Sequence, residues 1–292
     1  MTFGLFAAYT VIGLSLGGIF ALAALGIVLI YRVTGILNFA HGAMGMFSAF
    51  VAWQFASVWH LPNLVAVLFA LTFSVLLGLG LENLVFRHLL GRPPVTKAVI
   101  TIGILLVLQS AASLIWGNNA YHQAVRIFPA TPLHWGQVTV GVDQAAVIVI
   151  ALGLAFGIAA FLRRNQFGIA MRAVSDDPVA ASLWGVPVNR VGSVSWMLGS
   201  LIAGIAGILI TPFISFDTVS ITLLILDALA AALIGGLVSL PLTIIGGFAL
   251  GLLETYPTIY IPSTGFPKLV AIAVILAVLI FRAPKGLLVA KT

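Results

Sequence analysis

Residues 3–31 read FGLFAAYTVIGLSLGGIFALAALGIVLIY and contain no Lys, Arg, Asp or Glu. This run is longer than the roughly 20 apolar residues that a helix needs to cross a bilayer. Arg32 is the first charged residue, so the apolar run lacks the basic segment that precedes it in a cleavable signal peptide. We therefore expect a retained transmembrane helix at about 5–30.

The composition extends this membrane character to the whole chain. Of 292 residues, 62% are hydrophobic and 7% are charged, and the mean hydropathy is +1.22, whereas a soluble domain carries about 25% charged residues. The apolar runs do not alternate in polarity as the strands of an outer-membrane barrel do. We predict an all-α, polytopic transmembrane helical bundle. Charged residues are also absent from 33–81, 98–125, 144–162, 191–216 and 228–253.

The apolar runs between charges and turn residues predict eight or nine spans. The 242–256 run is the weakest because it is short, and the first pair after Arg32 could be re-entrant. Nine crossings with a cytoplasmic C-terminus place the N-terminus outside. They leave only Arg126 and Lys268 as basic residues outside, against eleven inside. The predicted spans are about 5–30, 40–59, 62–81, 98–117, 143–162, 192–212, 219–237, 242–256 and 268–283.

On this topology, residues 1–292 form a single transmembrane domain, and its partner is the lipid bilayer. The formal net charge of +6 reflects orientation in the membrane, because basic residues are retained on the cytoplasmic side. We therefore expect no nucleic-acid partner.

The segment 35–42, GILNFAHG, places small and polar residues near the start of a predicted span. Polar groups at membrane depth need protein partners or water. A helix broken at Gly35 and Gly42 would expose backbone groups, which is tolerated only against protein or a wet cavity. On this interpretation Asn38 and His41 line a solute path. The alternative is a cytoplasmic turn in which Asn38 caps the following helix. The composition favours neither.

A cytoplasmic loop is expected at 163–190, which holds six of the twenty charged residues. Asp177 precedes Pro178, which is typical of an N-cap followed by proline at the first helical position. About two helical turns would then end at Gly185. A helix this short is unstable alone. It must rest on the membrane surface, on a partner protein or on the chain's own loops, through the apolar side chains of Val179, Leu183 and Trp184.

Three acidic residues lie in or near predicted spans. Asp227 falls inside 219–237, where an ionisable group is costly and indicates function. It could bind a substrate ammonium or a proton, or it could pair with an interior base. Glu82, with Arg87 nearby, and Glu254 lie near span ends, and we expect both to be solvated boundary charges.

Small residues recur at four-residue spacing, the pattern that lets helix backbones approach closely in lipid. Generic helix packing is the simplest interpretation of each such face. The faces are formed by Gly13 with Gly17, by Gly199 with Ala203 and Gly207, and by Gly247 with Gly251.

The sequence contains no pattern typical of an enzyme. It has no G-x-x-x-x-G-K-[ST] loop for ATP phosphates, no H-E-x-x-H and no G-x-S-x-G. It has no cysteine, and its five histidines lack the spacing of metal ligands. We therefore expect no enzymatic activity, no metal site and no cofactor in this chain.

Several of these segments together resemble the LivH-type permease subunits of branched-chain amino acid ABC importers. Segment 35–42 is similar to the family's G-x-x-N-F-A-H-G signature, and 168–186 resembles its G-x-x-x-R-A…A…G-[IV] loop. Residues 199–209 are similar to its small-residue helix. Further matches follow in order at Gly235, Gly236, Ser239, Pro241, Gly246, Gly247 and Pro284-x-Gly286-Leu287.

The resemblance implies a permease of the bacterial inner membrane that works by alternating access. Its implied partners are a second, related permease, two cytoplasmic ATPases that bind the ATP, and an extracytoplasmic solute-binding protein. The helix after Pro178 would be the coupling helix that enters an ATPase groove. We expect coupling to involve Arg172, Asp176, Asp177, Pro178, Ala181, Leu183 and Gly185. We expect the solute path to be bordered by Asn38, Phe39, His41, Gly42 and, more weakly, Asp227.

Two alternatives stay open. The family often has Lys where this chain has Asp227, and a reversed charge in the membrane could mean another solute, such as urea, a short amide or an aromatic amino acid. Branched-chain amino acids are the leading interpretation. The second alternative is an ion-driven secondary transporter in which Asp227 carries the coupling ion, and it predicts uptake by this chain alone.

Overall fold

The computed structural model describes residues 3–89, 91–117, 122, 124–125, 128, 131–135, 138–261 and 265–281. In these ranges the chain folds into twelve α-helices. The helices are α1 (Phe3–Thr34), α2 (His41–Trp53), α3 (Asn63–Leu84), α4 (Pro94–Trp116), α5 (Val142–Arg164), α6 (Gln166–Asp176), α7 (Pro178–Leu183), α8 (Val188–Ile210), α9 (Thr218–Thr222), α10 (Leu224–Ile234), α11 (Leu240–Thr255) and α12 (Phe266–Phe281).

The predicted helical bundle is confirmed, with one small addition before α5. Strands β1 (Pro132–Trp135) and β2 (Val138–Gly141) pair antiparallel as a hairpin, with Pro132 opposite Gly141. Single turns of π- or 3₁₀-helix follow α2, α3 and α11 at Gln54–Val58, Phe86–Leu89 and Tyr256–Ile259.

Six helices in the described part of the chain are long and apolar enough to cross a membrane. They are α1, α3, α4, α5, α8 and α11 together with its following turn. Every predicted span contains a helix, but the 219–237 span is broken between α9 and α10. Helix α2 has 13 residues and is about 20 Å long, shorter than the roughly 30 Å hydrocarbon core.

The number of crossings and their direction therefore stay predictions. The basic residues on which the cytoplasmic C-terminus depends, and the last segment of the family resemblance, lie outside the described residues. They are Arg282, Lys285, Lys291 and Pro284-x-Gly286-Leu287.

Helix α1 is the centre of the bundle. It is apolar on all sides, and residues 19–30 are buried against α5, α8, α10 and α11, as expected for a helix with no polar face. The predicted small-residue faces form close helix contacts, both at α1 and between α2 and α8. A Cβ added at Gly251 would lie 2.4 Å from the backbone nitrogen of Gly17, and one added at Gly207 would lie 2.2 Å from the carbonyl oxygen of Gly45 on α2.

Candidate functional site

The 35–42 segment forms a tight, buried connection between α1 and α2. Gly35 has φ of +65°, a conformation that glycine adopts without steric cost. Asn38 is buried, and its Oδ1 accepts a hydrogen bond of 3.0 Å from the backbone N–H of Ala40. Its Nδ2 lies 3.4 Å from the sulfur of Met44. Asn38 thus stabilises the turn that precedes α2, but the N-cap position of α2 is Ala40, so Asn38 does not cap the helix itself.

The remaining residues of this segment bring α2 close to its neighbours. The buried imidazole of His41 lies against α1, where a Cβ added at Gly26 would be 2.5 Å from its Cε1. A Cβ at Gly42 would be 2.3 Å from the carbonyl oxygen of Thr222, at the break between α9 and α10. The segment therefore joins α1, α2 and the broken helix. Phe39 is partly exposed, and its N–H donates to Thr101 Oγ1 at 3.2 Å.

A cavity of about 540 Å³ opens beside this segment, at the end of the bundle that carries Arg32, Arg87 and Lys97. Gly35 and Ile36 border one side of it. Ser175 and Pro178 of the 163–190 loop border another, so the two sequence-predicted regions meet at one cavity. Asn38, His41 and Asp227 do not line this cavity.

Glu82 lies in one wall of the cavity, and its surroundings differ from those expected. Its carboxylate accepts a hydrogen bond of 2.8 Å from Ser193 Oγ and pairs with Arg87 at 3.3 Å. The pairing with Arg87 was expected, but Glu82 is buried rather than solvated, because α8 packs over the end of α3. The stacked rings of Phe86 and Trp196, with centroids 4.2 Å apart, close the cavity beside it.

Asp227 is paired inside the bundle. Its carboxylate is 1% exposed and accepts a hydrogen bond from Lys268 Nζ on α12. This is the interior-base alternative considered for Asp227. Lys268 was missed as a partner, although a single base at the start of an apolar run was a usable signal.

The expectation that Glu254 is a solvated boundary charge was wrong. Glu254 is 3% exposed, because α10 and α12 pack against the end of α11.

The 163–190 loop folds as predicted into a capped short helix. Asp177 Oδ1 accepts hydrogen bonds from the N–H groups of Val179 and Ala180 at 2.8 and 3.0 Å. Gly185 has φ of +80°, and the N–H of Val186 bonds the carbonyl of Ala181 at 3.0 Å. This is the Schellman arrangement that ends a helix.

Helix α7 presents an apolar patch outward. Ala181 is buried where α7 packs against α6 and α8. The patch consists of Val179, Leu183 and Trp184, which are 69%, 83% and 89% exposed. Helices α6 and α8 of the same chain therefore support α7 from one side only.

The loop is tied to the end of α5. Arg172 Nη1 donates a 2.6 Å hydrogen bond to the carbonyl oxygen of Leu162, and a Cβ at Gly168 would lie 2.5 Å from Leu162 Cα. Asp176 is the last residue of α6 and is exposed. Arg172 and Gly168 thus hold α6 in place, and α6 in turn carries α7.

A bundle of long apolar helices around a buried central helix, with a capped polar loop at its basic end, defines a multi-pass membrane protein. The sequence model of the family described as branched-chain amino acid transport system / permease component matches residues 9–281. The chain belongs to this family.

The similarity of the chain to individual relatives covers nearly the full length of both proteins in each comparison. It is 28% identical over 301 aligned positions to the high-affinity branched-chain amino acid transport system permease protein LivH of Escherichia coli, covering 94% of this chain and 93% of the relative. It is 27% identical to the permease protein BraD of Pseudomonas aeruginosa, with the same coverage. A probable LivH of Methanocaldococcus jannaschii is 28% identical over 91% of this chain and 87% of the relative.

Proposed function

We propose that this chain is the permease subunit of an ABC importer that moves branched-chain or related hydrophobic amino acids across the bacterial inner membrane by alternating access. It pairs with a second permease, receives solute from an extracytoplasmic binding protein, and takes its energy from two cytoplasmic ATPases. The similarity to permeases of branched-chain amino acid transport systems supports the solute class.

The observation that carries the coupling part of this proposal is the outward patch of α7. An isolated six-residue helix does not persist in water, yet α7 is capped at both ends and displays Leu183 and Trp184 to solvent. Exposed apolar side chains on a rigid, capped element are typical of a docking surface. The family resemblance implies that the surface on which α7 docks is a groove of an ATPase subunit.

The cavity at the basic end supports a route from this helix to the transported solute. Pro178, the first residue of α7, and Gly35, at the end of α1, border the same cavity. A displacement of α7 would change the cavity wall beside the 35–42 segment, which in turn packs on the break between α9 and α10 through Gly42. ATP-driven motion at α7 thereby reaches the middle of the bundle.

The test compares Leu183→Asp with the matched control Val95→Asp in an importer reconstituted in lipid with both ATPases, the second permease and the binding protein. Val95 is 74% exposed at the start of α4 and lies near the same end of the bundle. Burial of a leucine side chain contributes about 1.5 to 3 kcal/mol. We therefore expect Leu183→Asp to reduce ATP-dependent leucine uptake about tenfold or more, and Val95→Asp to leave it near wild type.

Normal leucine uptake by Leu183→Asp would contradict the coupling assignment. Uptake by this chain alone, driven by an ion gradient, would instead establish the secondary-transporter alternative. Competition by phenylalanine or urea, but not by leucine, would keep the importer and change its solute.

A further inference from the structure

Three ionisable side chains from three helices meet inside the bundle. Asp227 comes from the first turn of α10, Glu254 from the last turn of α11 and Lys268 from the first turn of α12. Lys268 Nζ bonds Asp227 Oδ2. The carboxyl of Glu254 lies within hydrogen-bonding reach of the carboxyl of Asp227.

The charges of this cluster do not balance if every group is ionised. Two carboxylates would face one ammonium, and both acids are almost fully buried. Like charges this close in a low-dielectric interior disfavour each other, and an uncompensated buried charge costs several kcal/mol. One additional positive charge is therefore needed in the cluster.

The cluster also lacks one hydrogen-bond donor. Asp227 Oδ1 and Glu254 Oε1 are both buried without a partner when the two groups are ionised. An ionised carboxyl only accepts, whereas a protonated one also donates. A single proton between the two carboxyls would supply the missing hydrogen-bond donor, as buried polar groups require.

We propose that Glu254 holds a proton at neutral pH and donates it as a hydrogen bond to Asp227, whose negative charge is neutralised by Lys268. Glu254 holds the proton because the ammonium of Lys268 bonds Asp227 directly and stabilises its ionised form. The cluster is then an electrically neutral link from α11 through α10 to α12. It forms the polar part of the surface on which α12 packs against both helices.

The test is infrared spectroscopy of the purified chain in detergent at neutral pH, in the region where a protonated carboxylic acid absorbs. The chain has seven acidic residues, and we expect one band that shifts in D₂O and is absent from Glu254→Gln. The matched control is Glu82→Gln, because Glu82 is equally buried but paired with Arg87. This control should keep the band.

Two more variants test whether the band depends on the charges beside Glu254, as a proton held by the cluster would, and not only on the presence of Glu254. In Asp227→Asn the lone Glu254 carboxyl becomes the counter-ion of Lys268, so the band should disappear although Glu254 is still present. In Lys268→Met no ammonium remains, so the band should persist or grow. Comparison is restricted to monodisperse protein.

Absence of the band in the wild type, or its survival in Glu254→Gln, would overturn the proposal. Loss of the band in Glu82→Gln, with the band retained in Glu254→Gln, would place the proton on Glu82. This result would also overturn the proposal. The readout uses this chain by itself, so the result does not depend on the proposed transport function.

Discussion

Arg172 Nη1 donates a hydrogen bond of 2.6 Å to the main-chain oxygen of Leu162, two residues before the end of α5. The last four carbonyls of a helix have no partner within it, and a cation favours the negative end of the helix dipole. This one contact therefore completes α5 and fixes α6, the helix that positions α7.

Arg172→Ala should loosen the 163–190 loop without unfolding the bundle. A hydrogen bond from a charged group contributes about 1.5 to 3 kcal/mol, and the main-chain oxygen of Leu162 would lose it. We expect faster chymotrypsin cleavage within the loop. Arg164→Ala is the control, because Arg164 is exposed at the end of the same helix and should leave the cleavage rate near wild type. Equal cleavage in both variants would contradict a positioning role for Arg172.

Gly207→Ala should destabilise the contact between α2 and α8. The new Cβ would lie 2.2 Å from the carbonyl oxygen of Gly45, and backbone atoms cannot rotate away. Overpacking of this kind costs about 1 to 3 kcal/mol, so the thermal midpoint in detergent should fall. Gly103→Ala on α4 meets nothing within 4 Å and should hold or raise the midpoint, since Ala favours a helix over Gly by about 1 kcal/mol. A lower midpoint for Gly103→Ala alone would be contrary to this account.

Gly185→Val should impair coupled transport, whereas Gly185→Asn should largely retain it. The φ of +80° at this position is strained for a β-branched residue, at a cost of about 1 to 3 kcal/mol, but Asn tolerates it better. The measurement is leucine uptake per ATP hydrolysed in the reconstituted importer. Equal ratios for the two variants would show that the left-handed conformation at the end of α7 has no part in coupling.

The sequence predicted the local features well, because their causes are local. Asp177 and Pro178 start α7 and Gly185 ends it for reasons of backbone chemistry that neighbouring residues supply. The small-residue faces, such as Gly17 with Gly13, were also readable, since close backbone approach requires a missing side chain whatever the partner helix is.

The burial of charged groups could not be predicted in the same way. Glu254 and Lys268 stand near the ends of their runs, where a solvated position is the simplest expectation. The burial of Glu254 depends on how α10, α11 and α12 pack. The position of Lys268 at the start of an apolar run marks it as unusual, but it does not say that its partner is Asp227, 41 residues earlier. The same holds for the cavity that joins Gly35 to Pro178.

The proposed docking of α7 is tested most directly by site-specific crosslinking, which is simple because the chain has no cysteine. Leu183→Cys and the control Val95→Cys would each carry a thiol-attached photo-crosslinker in the importer assembled with its ATPases. The account predicts an ATPase adduct from position 183 and none from position 95. No ATPase adduct from position 183, or equal adducts from both positions, would contradict it.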